Sequence, residues 1–145
     1  MTRRFFDYWR AKCRDGRLPS RQDIDPLDMP ELLPHIAMYD VVRADGDVRF
    51  RIRLFGTANV QLTGGDCTGQ FLEDQLNPED AARIIGFYRL VADEGRPHFW
   101  RSFLVTPGRE HVRYERLLLP LASDGKTVDI LVALFVPLEA EPERG

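Results

Sequence analysis

The chain is poor in cysteine and has no long apolar run. Its 145 residues include two cysteines, Cys13 and Cys67, which are too few for a disulfide scaffold and too far apart for a metal-binding motif. No apolar stretch approaches the roughly 18 residues that span a bilayer. The first residues show neither a long apolar segment nor a small-residue cleavage site, so we expect no secretory signal. We therefore expect a cytoplasmic location, reduced thiols and no membrane partner.

Lysine is also scarce, since only Lys12 and Lys126 contribute to the 20 basic residues. The formal net charge is -3, but basic side chains are frequent in the first 21 residues, where Asp7 and Asp15 interrupt them. An arm that binds nucleic acid would carry a denser basic run with fewer acids. We interpret this segment as a solvated helix face and expect no nucleic-acid partner.

Recognisable catalytic and metal motifs are missing. The chain has no phosphate-binding glycine loop and no nucleophile elbow. Adjacent carboxylates such as Glu73 and Asp74 fall in a predicted loop, where such groups are usually solvated. The three histidines, His35, His98 and His111, are too scattered for a dedicated metal site. The sequence therefore predicts no catalytic residue, no metal site and no enzyme.

The first 35 residues are predicted to form a helical extension. Apolar residues recur with helical spacing over residues 3–15, and Gly16 stands where a C-terminal cap belongs. Asp25 and Pro26 suit the start of a second, short helix. Four prolines between residues 19 and 34 prevent one continuous helix.

Residues 36–138 are predicted to form an α+β domain, and an acidic tail follows over 139–145. Strands are expected at 36–42 and 48–55, joined by an Asp45-Gly46 turn, with Phe50, Ile52 and Leu54 on one face. Residues 57–76 allow single helical turns at most, and a helix is predicted from Pro78 to a stop at Gly95. Strands at 98–105, 111–121 and 128–137 would complete a five-stranded antiparallel sheet with a helical crossover on one face.

Several short segments carry a family resemblance. The strand that ends in Phe55-Gly56-Thr57, followed by the turn Thr68-Gly69, resembles the beginning of a PAS domain. More narrowly, the chain resembles a family of small single-domain PAS-like proteins from alphaproteobacteria. The resemblance rests on the order and spacing of Leu18-Pro19-Ser20-Arg21, Ile24-Asp25-Pro26, Leu32-Leu33-Pro34, Arg53-Leu54-Phe55-Gly56-Thr57 and Leu119-Pro120-Leu121. It implies sensing or regulation, transfers no catalytic residue, and places the last strand beside the first at the sheet centre.

Some PAS domains bind flavin or haem, so the resemblance makes both cofactors possible, but the residues of this chain argue against each. In PAS domains that bind flavin for light sensing, the reactive thiol follows the turn glycine, whereas Cys67 precedes Gly69. Haem-binding PAS domains draw an axial histidine from the crossover helix, and residues 78–94 contain none. We therefore expect no cofactor, and we interpret Cys67 as a small, partly buried side chain.

A ligand cavity is predicted between the crossover helix and the sheet. Its expected residues are polar and aromatic side chains of the crossover helix and three strands, namely Arg53, Phe55, Tyr88, Trp100, Tyr114 and Arg116. Such walls are typical of small-molecule pockets, and an arginine among them would favour a carboxylate or a phosphate. The alternative is that Tyr88 and Trp100 are ordinary core residues and that Arg53 pairs with Glu115 across an exposed face.

The aromatic side chains Phe5, Phe6 and Trp9 of the first helix form a predicted dimer interface. Burying three such rings removes enough apolar surface to stabilise an interface, so we expect a homodimer. Packing of the same rings within one chain is the alternative.

The sequence as a whole favours a sensory or regulatory module that binds a small molecule, a partner protein or both, and that signals by association. One alternative is a protein-interaction adaptor with a filled core and no ligand. Another is a small α+β enzyme of the isomerase or cyclase type, which would need an acid or base deep in an open cone.

Overall fold

The computed structural model describes residues 1–138, so the predicted acidic tail lies outside the described residues. Five strands form one sheet in the order β2-β1-β5-β4-β3, and every neighbouring pair is antiparallel. The strands are β1 (Ile36–Ala44), β2 (Asp47–Phe55), β3 (His98–Phe103), β4 (Arg113–Leu121) and β5 (Ile130–Pro137). The predicted sheet is confirmed, with the last strand beside the first.

The helices lie on both faces of this sheet. The α-helices are α1 (Thr2–Lys12), α2 (Thr57–Thr63) and α3 (Pro78–Glu94). Short 3-10 turns cover Arg21–Asp23, Pro26–Asp28, Pro30–His35 and Leu72–Gln75. None of the helices within residues 1–138 is long and apolar enough to cross a membrane.

Helix α3 begins and ends where its sequence signals predict. Asn77 accepts a hydrogen bond from the Asp80 amide at 2.9 Å, which satisfies one of the free donors of the first turn. Gly95 ends the helix with φ 65°, a left-handed conformation that glycine adopts without steric cost. Ile84 and Tyr88 lie on the buried face of the helix. Helix α3 packs on one face of the sheet, the inner face, and the opposite face is the outer face.

A β-bulge changes the predicted alternation of strand β2. Met38 pairs with Leu54 and Tyr39 with Ile52, so Arg53 is the extra residue. A bulge shifts the following side chains to opposite faces. Leu54 is therefore 39% exposed, contrary to the prediction that it joins Phe50 and Ile52 on the inner face. Phe55 takes the inner position instead.

The N-terminal segment differs in detail from its prediction. Helix α1 ends at Lys12, and Gly16 does not cap it. Asp15 and Gly16 have φ of 53° and 72° and form a separate tight turn closed by pairing of Arg14 with Arg17. Similarly, the short helix expected after Asp25 is a pair of 3-10 turns, because prolines interrupt it.

Helix α1 packs on the outer face of the sheet. Phe5 is 3% and Trp9 5% exposed within the single chain, and Trp9 Nε1 donates to the Pro120 carbonyl at 2.9 Å. Each buried ring contributes about 4–6 kcal/mol of hydrophobic free energy. The expectation that these two rings lie at a dimer interface therefore gives way to packing within the chain. Phe6 remains half-buried, with its ring centroid 6.1 Å from that of Trp9.

Strand β5 is covered on both sides, as its continuous apolar run predicts. Leu131 and Ala133 belong to the inner cluster beneath α3. Val132 and Leu134 belong to the outer cluster beneath α1. A gap of about 30 Å³ borders the outer cluster, whereas the inner cluster borders a much larger cavity that is partly open to solvent.

Candidate functional site

The cavity lies between the inner face of the sheet and the segment that runs from α2 to α3. Its volume is about 530 Å³, within the usual range for small-molecule sites. Aliphatic and aromatic side chains form most of its wall, with a few polar groups among them. The residues that bear on the chemistry are Tyr39, Phe55, Asn59, Asp66, Cys67, Asp74, Ile84, Tyr88, Tyr114 and Arg116.

Arg116 is the charged residue of the inner wall. It lies on β4, opposite Phe135 of β5 and Trp100 of β3, and it is 1% exposed. Its Nη2 donates to Nδ1 of His98 at 3.0 Å, while its Nε is buried without a hydrogen-bond partner. Within residues 1–138, Arg116 takes part in no ion pair.

Aromatic rings surround the Arg116 guanidinium. Its Cζ lies 5.1 Å from the ring centroids of both Tyr88 and Trp100 and 5.9 Å from that of Phe87. Each such contact contributes about 0.5–2 kcal/mol, whereas burying an unpaired charge costs several kcal/mol. The three contacts together therefore offset a large part of that cost.

His98 supports Arg116 from strand β3. Its ring stacks on Phe87, with centroids 4.5 Å apart. Burial lowers the pKa of His98 because it disfavours the imidazolium, and the Arg116 charge lowers it further. The neutral imidazole is the form that can accept the hydrogen bond from Arg116.

Two tyrosines of the cavity, Tyr39 and Tyr114, remain protonated at neutral pH. Tyr88 donates a hydrogen bond to the Tyr39 hydroxyl at 3.1 Å. Burial raises the pKa of Tyr39 well above its ordinary value and that of Tyr114 to about 12. Burial also raises the pKa of the Cys67 thiol. These groups can therefore exchange hydrogen bonds with a ligand, but at neutral pH they are poor bases and nucleophiles.

Asn59 lines the cavity and carries a second buried polar atom without a partner. This residue of α2 is 1% exposed, and its Nδ2 donates to the Ile36 carbonyl at 3.0 Å. Because a carbonyl can only accept, the amide nitrogen must face Ile36. The Asn59 Oδ1 is left buried and without a hydrogen-bond partner.

Of the predicted ligand-binding residues, four line the cavity, namely Phe55, Tyr88, Tyr114 and Arg116. Trp100 lies behind this wall, with its ring 6.3 Å from that of Tyr114. Arg53 does not belong to the site. It is the bulged residue on the outer side, where its half-exposed side chain binds Asp40 at 3.3 Å. The alternative pairing with Glu115 is not formed either, since Arg101 occupies that carboxylate.

Sequence reasoning missed Asn59 and His98. Asn59 lies in a stretch where only single helical turns were expected, and nothing in the sequence distinguishes its burial. A signal for His98 was available, because His98 and Trp100 alternate on β3 and so face the same side. The scatter of the histidines argues against a metal site and leaves a structural role for His98 open.

The side chains that could ligate a metal are dispersed over the part of the chain that the structure describes. Within residues 1–138 no group of three or more histidine, cysteine or acidic side chains could hold a metal ion. Cys67 lines the cavity but precedes Gly69, and Gln70, Phe71 and Leu72 supply no thiol after it. The expectation that flavin and haem are absent remains a prediction.

Solved structures of LOV and PAS proteins share the fold of this chain. The LOV protein of Rhodobacter sphaeroides is 14% identical, with a TM-score of 0.55 over 95% of this chain and 69% of that one. The PAS domain of BvgS from Bordetella pertussis is 17% identical, with a TM-score of 0.55 over 81% of this chain and 89% of that one. At these identities the likeness shows the fold alone.

Sequence comparisons add the family. Comparison with curated protein sequences gives no significant match. A family model described as PAS domain matches residues 1–136, which covers the N-terminal extension as well as the sheet. The chain therefore belongs to the PAS domain family.

Proposed function

We propose that this PAS domain is a sensory module that binds a small molecule in the cavity beneath α2 and α3. The observation that carries the proposal is the cavity of about 530 Å³ with the buried Arg116 in its wall. A filled interior would suit the adaptor alternative better, because an adaptor has no use for an internal cavity or for an unpaired buried charge.

Binding fits the cavity better than catalysis does. Two titratable side chains deep in the wall, Tyr39 and Tyr114, are phenols whose pKa is raised by burial. Asp66 is exposed, and hydrogen bonds from Thr68 lower the pKa of its carboxyl. An isomerase or cyclase would need, inside the cavity, an acid or base whose pKa lies near neutral pH.

Association is the proposed means of response, and the β3 edge of the sheet is the surface that favours it. Phe99 and Phe103 are 48% and 53% exposed on a strand that pairs with β4 alone among the described strands. At the opposite edge, the Ile52 amide donates to the Gln70 carbonyl at 2.8 Å, so the crossover covers β2. We therefore place the proposed homodimer contact at β3 rather than at α1.

Native mass spectrometry of freshly purified protein tests the cavity proposal. The wild type should retain a small molecule, or gain thermal stability with fragments found by ligand-observed NMR. Ile84→Phe would place extra volume in the cavity, because Ile84 lines it from α3. We expect this variant to fold and to lose the ligand.

Leu90→Phe is the matched control. Leu90 lies on the same helix but is 45% exposed and faces away from the cavity, so this variant should bind as the wild type does. If no ligand is found that Ile84→Phe displaces, the adaptor alternative replaces the sensory one.

A further inference from the structure

The inner wall of the cavity presents one cation with unused hydrogen-bonding capacity. Arg116 is 1% exposed, and its Nε has no partner. A guanidinium can only donate, and it binds a planar carboxylate through two parallel N–H groups. The buried Arg116 therefore lacks an anion that no residue of the described chain supplies.

A second buried polar atom also lacks a hydrogen-bond partner, but it is an acceptor where the Arg116 Nε is a donor. The Asn59 Oδ1 is a buried acceptor without a donor. Asn59 is fixed to Ile36 at the start of β1, and β5 separates β1 from β4. Two strand spacings therefore lie between the attachment points of Asn59 and Arg116, roughly 10 Å.

The charges around the cavity favour one negative charge over two. Among the described residues that line the cavity, Arg116 is the single cationic one, whereas Asp66 and Asp74 line its exposed part. A phosphate dianion would meet these two carboxylates with only one cation to compensate it. A carboxylate carries one negative charge, which a single cation balances, and its two oxygens match the planar guanidinium of Arg116.

We infer that the cavity binds a carboxylic acid with an apolar body, whose carboxylate pairs with Arg116 and whose far end donates a hydrogen bond to Asn59. The inference rests on the proposed function, because it specifies the ligand of the same cavity. It requires that Arg116 discriminate a charged ligand from a neutral one of the same shape. A hydroxyl at the far end of the ligand should add affinity.

Isothermal titration calorimetry with matched compounds tests the inference. The probes are 4-phenylbutanoate, its neutral analogue 4-phenylbutanamide, 4-(4-hydroxyphenyl)butanoate and phenyl phosphate. The acid should bind about 10- to 100-fold more tightly than the amide, since hydrogen bonds to charged groups are of that strength. The hydroxylated acid should bind more tightly still, and phenyl phosphate more weakly than the acid.

Arg116→Met keeps the length of the side chain and removes its charge. It should weaken the binding of the acid by about 10- to 100-fold and leave the amide unchanged. Arg53→Met is the control, because Arg53 lies outside the cavity on the exposed face. If Arg116→Met fails to fold, the comparison of acid with amide on the wild type still decides.

The inference is overturned if the acid fails to bind, if the amide or phenyl phosphate binds as tightly, or if acid binding survives in Arg116→Met. The assignment of a donor to Asn59 is overturned if the hydroxyl adds nothing. Failure of the proposed function is a separate result. It would show as no retained ligand in native spectra and no binding by any probe, the neutral amide included.

Discussion

Arg116 and His98 share a hydrogen bond in which the guanidinium Nη2 is the donor and the imidazole Nδ1 the acceptor, at 3.0 Å. Because arginine has no acceptor, this bond requires a lone pair on Nδ1 and places the proton of neutral His98 on Nε2. Protonation of Nδ1 would replace the bond with repulsion between two cations. The hydrogen bond that holds Arg116 in the cavity wall therefore depends on the protonation state of His98.

The first prediction concerns stability against pH. The folded-state pKa of His98 is lowered by burial and by the Arg116 charge. Below about 6.5, its ordinary value, the unfolded chain takes up a proton that the folded chain resists. The free energy of unfolding should therefore fall as the pH drops from about 6.5 toward the lowered value, with no contribution from His98 at higher pH.

Urea denaturation over this pH window measures the effect. His98→Asn keeps an acceptor for Arg116 but does not titrate, so its stability should depend less on pH. His111→Asn changes an exposed histidine of the β3–β4 turn and should retain the wild-type slope. An unchanged slope in His98→Asn would contradict the prediction.

The second prediction concerns Gly56, which follows strand β2. A Cβ at this position would overlap the Pro34 carbonyl and lie 2.7 Å from the Leu33 oxygen, both of which are backbone atoms. Gly56→Ala should therefore lower the melting temperature, with a loss of about 1–3 kcal/mol of stability from overpacking.

Gly86→Ala provides a comparison with the opposite sign. Gly86 lies in the middle of α3, and nothing lies within 4 Å of an added Cβ. This substitution should stabilise the protein by about 1 kcal/mol, because alanine favours helices. Thermal unfolding of both variants tests the pair, and equal shifts would refute the close approach at Gly56.

The third prediction concerns the packing of helix α1. Trp9→Ala should cost about 3–5 kcal/mol of unfolding free energy, since the ring is buried and its Nε1 is bonded to Pro120. Phe6→Ala removes a half-buried ring of the same helix and should cost clearly less. Denaturant unfolding at several protein concentrations measures both. A Trp9→Ala loss that vanishes on dilution would assign the ring to an interface instead.

The fourth prediction concerns the β3 edge. Phe103 is 53% exposed on this strand, so Phe103→Ser should weaken self-association by roughly tenfold if it is a central contact. Leu27→Ser serves as the control, since Leu27 is 82% exposed outside the sheet. Sedimentation equilibrium over the micromolar range gives the dissociation constants. A wild type that sediments as a monomer throughout would rule out the proposed homodimer.

Much of the sheet followed from the sequence because its signals are local. The Asp45-Gly46 turn, the Asn77 cap and the Gly95 stop each act within a few residues. The apolar run of β5 also indicated a strand covered on both faces, while its place beside β1 came from the resemblance to PAS domains. The helical period of residues 78–94 likewise predicts Tyr88 on the buried stripe, whereas Arg116 is predicted as a wall residue only from its charge and its place on a strand.

The remainder depends on contacts between distant segments. No local feature marks Arg53 as a bulge, so the predicted alternation failed at Leu54. The placement of Arg53 in the cavity did not follow from that alternation, which already puts Arg53 on the face opposite Phe50 and Ile52. The burial of Phe5 and Trp9 within the chain depends on the outer face offered by β4 and β5. Asn59 gained its role from the Ile36 carbonyl, 23 residues away.

Helix α2 is held at both ends by different parts of the domain. Asn59 fixes it to the start of β1, and the Arg109 guanidinium donates to the Gln61 and Leu62 carbonyls at 2.6 and 3.0 Å. Arg109 belongs to the turn that follows β3, the strand with the exposed phenylalanines. A ligand that displaces this short helix would therefore strain both attachments at once. The displacement would couple the cavity to the turn after β3 and so to the exposed edge of the sheet.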